Sequence, residues 1–275
     1  MLHFDIFQSI SLAGSATVAN DDRAGASMRL AWVIDGATDL GPPGLVGAQG
    51  GAAWIAATAD RAFASAGPNQ LSDVVTAVFS DLETAYRVAR VREPLGRWEL
   101  PSAAFLCVAL DDQRLKVAWL ADCACVLLRG DTVCRLGPQP SSLETLEAEA
   151  IRDAGLDLLP MRSAPTLDRL RDKRARADRR ILGVEAGHAD AVHYDAVDVA
   201  AGDELVLMTD GLAALIDDYD LAIADFAPLL RAEGLHGFAA QLRAIEADDP
   251  ECRRFARFKP SDDATGLWLR IAGET

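Results

Sequence analysis

Four aspartates lie where apolar segments of the chain begin or end. Asp35, Asp122 and Asp210 follow such segments closely, and Asp262 stands just before the last one. No histidine pair with metal-ligand spacing accompanies them. Carboxylate oxygens are hard ligands that suit Mg²⁺ or Mn²⁺ better than zinc. Taken together, the four acids predict a divalent-cation site at the ends of several strands.

Each acid also has a simpler explanation as a turn residue. Asp-Gly is a common turn pair, so Asp35-Gly36 and Asp210-Gly211, taken singly, predict turns. The adjacent pair Asp21-Asp22 is equally explained by a capped, solvated turn, and Asp122 by a plain hairpin. Only the joint occurrence of these acids favours metal binding over turn formation.

The segments between the acids predict the elements that would position them. Apolar runs predict strands, and several are apolar on consecutive residues, which is typical of strands covered on both faces; they are Met28–Ile34, Ala103–Leu110, Leu115–Leu120, Cys125–Arg129, Thr132–Leu136, Glu204–Thr209 and Thr265–Ile271. Helical periodicity occurs at Ala52–Ala66, Leu71–Val91, Leu143–Ala154, Leu167–Arg180, Leu221–Glu233 and Phe238–Ile245. Strands cluster in hairpins and helices come in pairs, so we predict an α+β protein with antiparallel sheets inside and helices outside.

Composition narrows the class of protein. The chain has 275 residues, half of them apolar, and a net charge of −15, which fits a globular protein that repels nucleic acid and anionic membranes. No apolar run reaches the length of a membrane span, and the first residues lack a signal-peptide pattern. The five scattered cysteines predict reduced thiols, so we expect a cytoplasmic protein, folded as one domain over residues 1–275.

Six short segments carry a family resemblance through their order along the chain. They are Asn20–Asp22, Trp32–Gly36, Ser102–Ala104, Ala121–Cys123, Leu207–Leu212 and Ser261–Thr265. In this order they resemble the motifs of the metal-dependent protein phosphatases, the type 2C serine/threonine phosphatase family. No single motif is specific, but the ordered set covers almost the whole chain.

The resemblance implies both a fold and a reaction. The fold is a four-layer α-β-β-α sandwich with two central antiparallel sheets and a site at one end. The reaction is hydrolysis of a phosphomonoester by a water that two Mn²⁺ or Mg²⁺ ions activate. The ions also reverse the negative charge of the acids, which would otherwise repel a phosphate dianion.

The family pattern assigns roles to individual residues of this chain. By resemblance, Asp22 and Asp35 bind the metal pair, with Asp35 shared between the ions. The carbonyl of Gly36 completes the coordination of one ion, and Asp210 and Asp262 bind the other.

Two further aspartates have lesser roles by the same resemblance. Asp122, together with Asp210, would hold a weaker third ion. Asp21 stands where the family usually has glutamate and would act through water.

The chain departs from the family in ways that concern substrate binding more than metal binding. Thr17 occupies the position of the arginine that grips phosphate in the family. The turn after Asp35-Gly36 lacks the usual further glycines, and Ala121–Ala124 replaces a Gly-Asp-Ser-Arg turn.

Basic residues near the acids suggest a replacement for the missing arginine. Arg257 and Lys259 precede Asp262 by a few residues, and Arg257 is the better candidate because guanidinium binds phosphate bidentately. The alternative is a solvated loop whose charges offset the aspartates. A second basic segment, residues 169–180, predicts an exposed helix bordering the site, with docking of acidic peptides as an alternative role.

The sequence thus predicts a metal-dependent phosphatase whose substrate is a phosphoserine or phosphothreonine protein. One alternative is a non-catalytic relative that binds a phosphorylated partner or a regulator. A third reading is a phosphatase for a small phosphorylated metabolite.

Overall fold

The structure of the protein, a computed structural model, describes residues 1–67, 69–139, 164–255, 257 and 259–273. The predicted helix Leu143–Ala154 lies outside the described residues. The strands are β1 (His3–Leu12), β2 (Asp22–Ala26), β3 (Leu30–Gly36), β4 (Ser102–Asp111), β5 (Arg114–Leu120), β6 (Ala124–Arg129), β7 (Thr132–Leu136), β8 (Leu182–Gly183), β9 (His193–Asp198), β10 (Glu204–Met208) and β11 (Ala264–Ala272). The helices are α1 (Gly51–Ala64), α2 (Leu71–Ala89), α3 (Ala164–Ala175), α4 (Asp210–Asp217) and α5 (Ile223–Asp248).

The strands form two antiparallel sheets. The first has the order β1-β11-β10-β6-β7, and the second has the order β2-β3-β4-β5-β9, with β8 paired to β4. The predicted antiparallel α+β architecture is therefore confirmed.

Strand β3 shows why some strands are apolar on consecutive residues. Ala31 and Val33 face the other sheet and belong to the core between the two sheets. Trp32 and Ile34 face the opposite way and pack with residues of α1 and α2. Successive side chains of a strand point to opposite faces, so a strand covered on both faces needs apolar residues at every position.

Helices α4 and α5 cover the outer face of the first sheet. Phe226 and Phe238 of α5 pack edge to face, with ring centroids 4.8 Å apart. They share a core with Leu212 of α4 and Val206 of β10. With α1 and α2 on the second sheet, the layers follow the order α-β-β-α that the resemblance implied.

Some elements differ from their prediction. The helices predicted at residues 221–233 and 238–245 are the two parts of α5, which extends to Asp248 and has a kink at Gly234, where φ is +66°. Strand β1 was not predicted: its register with β11 shifts between Ile6 and Gln8, which breaks the two-residue period. Among the described residues, no helix combines the length and the apolar character that crossing a bilayer requires.

Candidate metal centre

Strand pairing brings the first two acids together. Asp22 of β2 lies directly opposite Asp35 of β3 in the antiparallel register, which places both side chains on one face. At Gly36 a Cβ atom would lie 2.7 Å from the carbonyl oxygen of Ala52, so only glycine fits where this turn meets α1. The Gly36 amide donates to the carbonyl of Asp21 at 3.2 Å.

The first sheet meets this pair, which belongs to the second sheet, through Thr209. Its hydroxyl donates to Oδ2 of Asp22 at 2.8 Å and accepts from the Thr265 amide at 3.0 Å. Thr209 is completely buried between the end of β10 and the start of β11. It precedes Asp210, the first residue of α4, and thereby fixes this aspartate beside Asp22 and Asp35.

The acids form a compact cluster. Asp35, Asp122 and Asp210 each offer one carboxylate oxygen, and these oxygens lie within 4.8 Å of one another. Asp22 is 1% exposed, and its Oδ1 has no hydrogen-bond partner among the described residues. A buried carboxylate oxygen without a partner is costly. A divalent cation with oxygen ligands fits this donor set and would satisfy that atom.

The surroundings favour protonation of the acids when no cation is bound. Burial, followed by the charges of neighbouring carboxylates, raises the pKa of Asp22, Asp35, Asp122 and Asp210. Burial likewise raises the pKa of Asp262 to about 6 and that of Asp21 to about 7. Such shifts are typical of carboxylates that share one site.

The acids before β11 have separate tasks. Asp262 forms an ion pair with Lys259 and adds its charge to that of Asp210. Asp263 instead fixes the backbone, since its carboxylate accepts from the amides of Gly14 at 2.8 Å and Asp21 at 2.7 Å. Of this pair, the family resemblance names Asp262 as the metal ligand, whereas no sequence pattern predicted the backbone contacts of Asp263.

The expectation that Arg257 binds phosphate in place of the family arginine stays a prediction, and the contacts of its side chain are with residues outside the acidic cluster. Its guanidinium donates to the carboxylate of Asp249 at 2.7 Å and to the carbonyl of Pro260 at 3.1 Å. It also lies 5.9 Å from the ring centre of Tyr219. These bonds occupy Arg257 at the C-terminal end of α5. Lys259 is the member of this basic run that contacts an acid of the cluster.

Helix α3 supports the turn that follows Asp35. Arg174 donates to the carbonyl of Thr38 at 2.6 Å, and Arg171 donates to the carbonyl of Leu40 at 2.8 Å. The carboxylate of Asp39 accepts from the Gly51 amide at 2.7 Å, at the start of α1. The departure from a glycine-rich turn therefore has a structural reason. The Asp39 side chain binds the start of α1, and the carbonyls of Thr38 and Leu40 bind α3. Sequence reasoning missed these contacts, which join residues distant in the chain.

Comparison with known proteins agrees with this geometry. The model of the protein phosphatase 2C family matches residues 16–245. The serine/threonine phosphatase PstP of Mycobacterium tuberculosis is similar in structure, with a TM-score of 0.60, 18% identity and 99% of each chain covered. Its catalytic domain in complex with two manganese ions gives a TM-score of 0.59 at 18% identity, covering 99% of this chain and 100% of that one.

PppA of Pseudomonas aeruginosa gives a TM-score of 0.57 at 17% identity and covers 98% of each chain. At these identities the structural likeness concerns the fold. The comparison with curated proteins gives no match. The family model spans most of the chain and includes the segments that carry Asp22, Asp35, Asp122 and Asp210, so the chain belongs to the protein phosphatase 2C family.

Proposed function

We propose that this protein is a metal-dependent phosphatase that hydrolyses phosphoserine and phosphothreonine in proteins. The observation that carries the proposal is the convergence of Asp35, Asp122 and Asp210 beside the unpartnered oxygen of Asp22. A decayed site would have no reason to keep four carboxylates so close, because without a cation they repel one another.

The proposed cofactor is a pair of Mn²⁺ or Mg²⁺ ions. The manganese complex of the similar PstP catalytic domain supports this choice. We propose that one set of residues holds the pair, namely Asp22, Asp35, the Gly36 carbonyl, Asp210 and Asp262. Asp122 would hold a third ion together with Asp210, which is consistent with its place in the cluster.

The residues of the chain prepare the site for a phosphate dianion. Bound divalent cations supply positive charge and lower the pKa of a water molecule that can attack phosphorus. Thr209 fixes the orientation of Asp22, and the Gly36 turn fixes that of Asp35. Asp21, the residue before Asp22, would act on the ions through a water molecule. Lys259 adds a positive charge beside Asp262, in a chain that has Thr17 at the position of the family arginine.

The first test is hydrolysis of p-nitrophenyl phosphate and of a phosphothreonine peptide with and without Mn²⁺. We expect activity that requires the metal and that Asp210→Asn lowers at least a hundredfold, because it removes a charge from the centre of the cluster. Asp81→Asn is the matched control, since Asp81 is exposed on α2. A peptide that is hydrolysed no better than small phosphorylated metabolites would argue against a protein substrate.

The alternative is a non-catalytic domain that binds a phosphorylated partner. The observation that favours it is Thr17, which is exposed and bonded to Ser15 at the position of the family's phosphate-gripping arginine. Calorimetry distinguishes the two functions. Saturable Mn²⁺ binding without turnover of any phosphorylated substrate would favour the binding domain.

A further inference from the structure

A basic cavity lies beside the segment that follows Asp35 and Gly36, the last residues of β3. It is bounded by the end of α3, the start of β4 and the residues that follow β8. Its polar and charged lining includes Arg97, Ser102, Arg174, Arg176, Arg179 and His188. Such a concentration of arginines is unexpected in a protein with a net charge of −15.

Two of these arginines already have a carboxylate partner. Arg97 forms a bidentate pair with Glu185, with N···O distances of 2.7 and 2.5 Å. Arg176 pairs with Asp178, at 3.0 and 2.8 Å. These pairs leave little positive charge for a ligand.

Arg174 and Arg179 are different. Arg174 donates to the Thr38 carbonyl, and Arg179 donates to the hydroxyl of Ser102 at 3.3 Å. Within the described part of the chain, neither forms an ion pair. Both are partly buried, and burial lowers the pKa of both guanidinium groups. Asp39 and Asp122 act on these two arginines through their charges without pairing with them, so the two partly buried guanidinium groups remain unfavourable neighbours. An anion between them would relieve this cost.

The cavity adjoins the metal centre without including it. The carbonyl of Ser102 accepts from the Ala37 amide at 2.9 Å, immediately after the Asp35-Gly36 turn. Arg179 is close enough to Asp122 for their charges to act on each other. None of the clustered acids lines the cavity, however. An anion bound there would therefore lie next to the phosphoryl group being hydrolysed.

We propose that Arg174 and Arg179 form a subsite for a second anionic group of the substrate, a carboxylate or phosphate close in sequence to the phosphoresidue that is hydrolysed. This inference rests on the proposed phosphatase function and specifies its substrate class. The protein would prefer acidic or multiply phosphorylated peptides over neutral ones. Guanidinium groups suit either anion, because both accept paired hydrogen bonds.

The test compares peptides that share one phosphothreonine core. One peptide carries flanking glutamates, one carries a second phosphate, and one carries alanines. For Arg179→Ala we expect kcat/KM to fall about tenfold on the first two peptides, because one charge-assisted contact with the substrate is lost. On the alanine peptide and on p-nitrophenyl phosphate it should change less than twofold. The two anionic peptides separate carboxylate from phosphate as the preferred group.

Arg180→Ala is the matched control, because Arg180 is adjacent and exposed. Arg179→Lys keeps the charge and should recover part of the preference for anionic peptides. If Arg179→Ala fails to fold, as judged by circular dichroism, the salt dependence of the unmodified protein replaces it. Raising NaCl from about 50 to 300 mM should then reduce the preference for the glutamate peptide, since salt at these concentrations screens the attraction between the arginines and the glutamates.

Two results would overturn the subsite. One is an equal loss on all substrates in Arg179→Ala, which would place Arg179 on the reacting phosphoryl group. The other is no loss on the anionic peptides. If the unmodified protein turns over no substrate, the proposed function fails, and fluorescence anisotropy with the labelled glutamate peptide tests the subsite by itself. Binding that Arg179→Ala weakens would support the subsite, and unchanged binding would overturn it.

Discussion

Lys259 is the cation that the fold places against the acidic cluster. Its ammonium group pairs with Asp262 and also interacts with the charges of Asp210 and Asp35, and these interactions raise its pKa despite burial. Arg257, two residues earlier, is bonded to Asp249 and to backbone carbonyls. Two basic residues of one short segment therefore have different tasks, one electrostatic and one structural.

This division predicts different effects of removing each side chain. Lys259→Ala should lower kcat/KM for p-nitrophenyl phosphate about tenfold, because a charge that attracts the phosphate is lost. It should leave Mn²⁺ affinity unchanged or increase it, because the ammonium no longer competes for Asp262. Steady-state kinetics and calorimetry measure the two quantities.

Arg257→Ala is the companion variant, with the opposite expectation. It should cost about 2 kcal/mol of unfolding free energy, because it removes charged hydrogen bonds from Asp249 and from the end of α5. Its kinetics should be nearly normal. A stable Arg257→Ala protein with lost phosphate affinity would instead restore Arg257 as the phosphate ligand.

At the scale of elements, the turn between β5 and β6 contains a strained residue. Ala121 has φ of +66°, a backbone conformation that favours glycine, and it precedes Asp122 of the cluster. Outside glycine this conformation costs about 1–2 kcal/mol. The family resemblance places a glycine at this position, so the chain keeps the turn geometry without the residue that adopts it most easily.

Replacing Ala121 by glycine should therefore stabilise the protein. The relief of strain exceeds the extra entropy that glycine adds to the unfolded chain, about 0.4–1 kcal/mol, so we expect a net gain near 1 kcal/mol. Thermal unfolding should shift upward by about 2–4 °C for a domain of this size. Ala118→Gly, in the middle of β5, is the control and should destabilise. An unchanged or lower midpoint for Ala121→Gly would mean that the turn is not strained.

The elements that were predicted well are those whose local pattern suffices. Strands such as β4 and β10 are apolar on both faces and end within two residues of an aspartate, so sequence alone places them. The Asp210-Gly211 pair predicted a turn but begins α4, because a turn and the first residues of a helix favour the same residue types. Strand β9 was missed because it is a largely exposed edge strand without an apolar face.

The residues of the site likewise fall into those that a local motif predicts and those that it does not. Asp22, Asp35 and Asp210 could be named because each lies at a strand end, in a segment that resembles a family motif. The tasks of Thr209, Asp263 and Arg179 depend on contacts between segments far apart in the chain. No local pattern encodes such contacts.

At the scale of the whole molecule, the clustered acids couple metal binding to stability. Asp21 and Asp262 have raised pKa values, about 7 and 6, so between about pH 4 and 7 the metal-free folded chain binds more protons than the unfolded chain. The free energy of unfolding then falls as pH rises through this window. The pKa of Asp203 is lowered in the folded protein. At any pH above the pKa of Asp203 in the unfolded chain, its contribution to stability is constant, so it does not change how the free energy of unfolding varies with pH in this window.

Mn²⁺ should remove this dependence, because a divalent cation binds the deprotonated carboxylates and takes the place of their protons. After EDTA treatment, we expect a higher unfolding midpoint at pH 5.5 than at pH 7.5 by calorimetry. With Mn²⁺ added, the gain in midpoint should be larger at pH 7.5, where fewer protons compete. Asp262→Asn should flatten the metal-free slope, whereas Asp81→Asn should leave it unchanged. An equal Mn²⁺ gain at both pH values would show that the cation does not displace protons from the cluster, which would contradict its binding there.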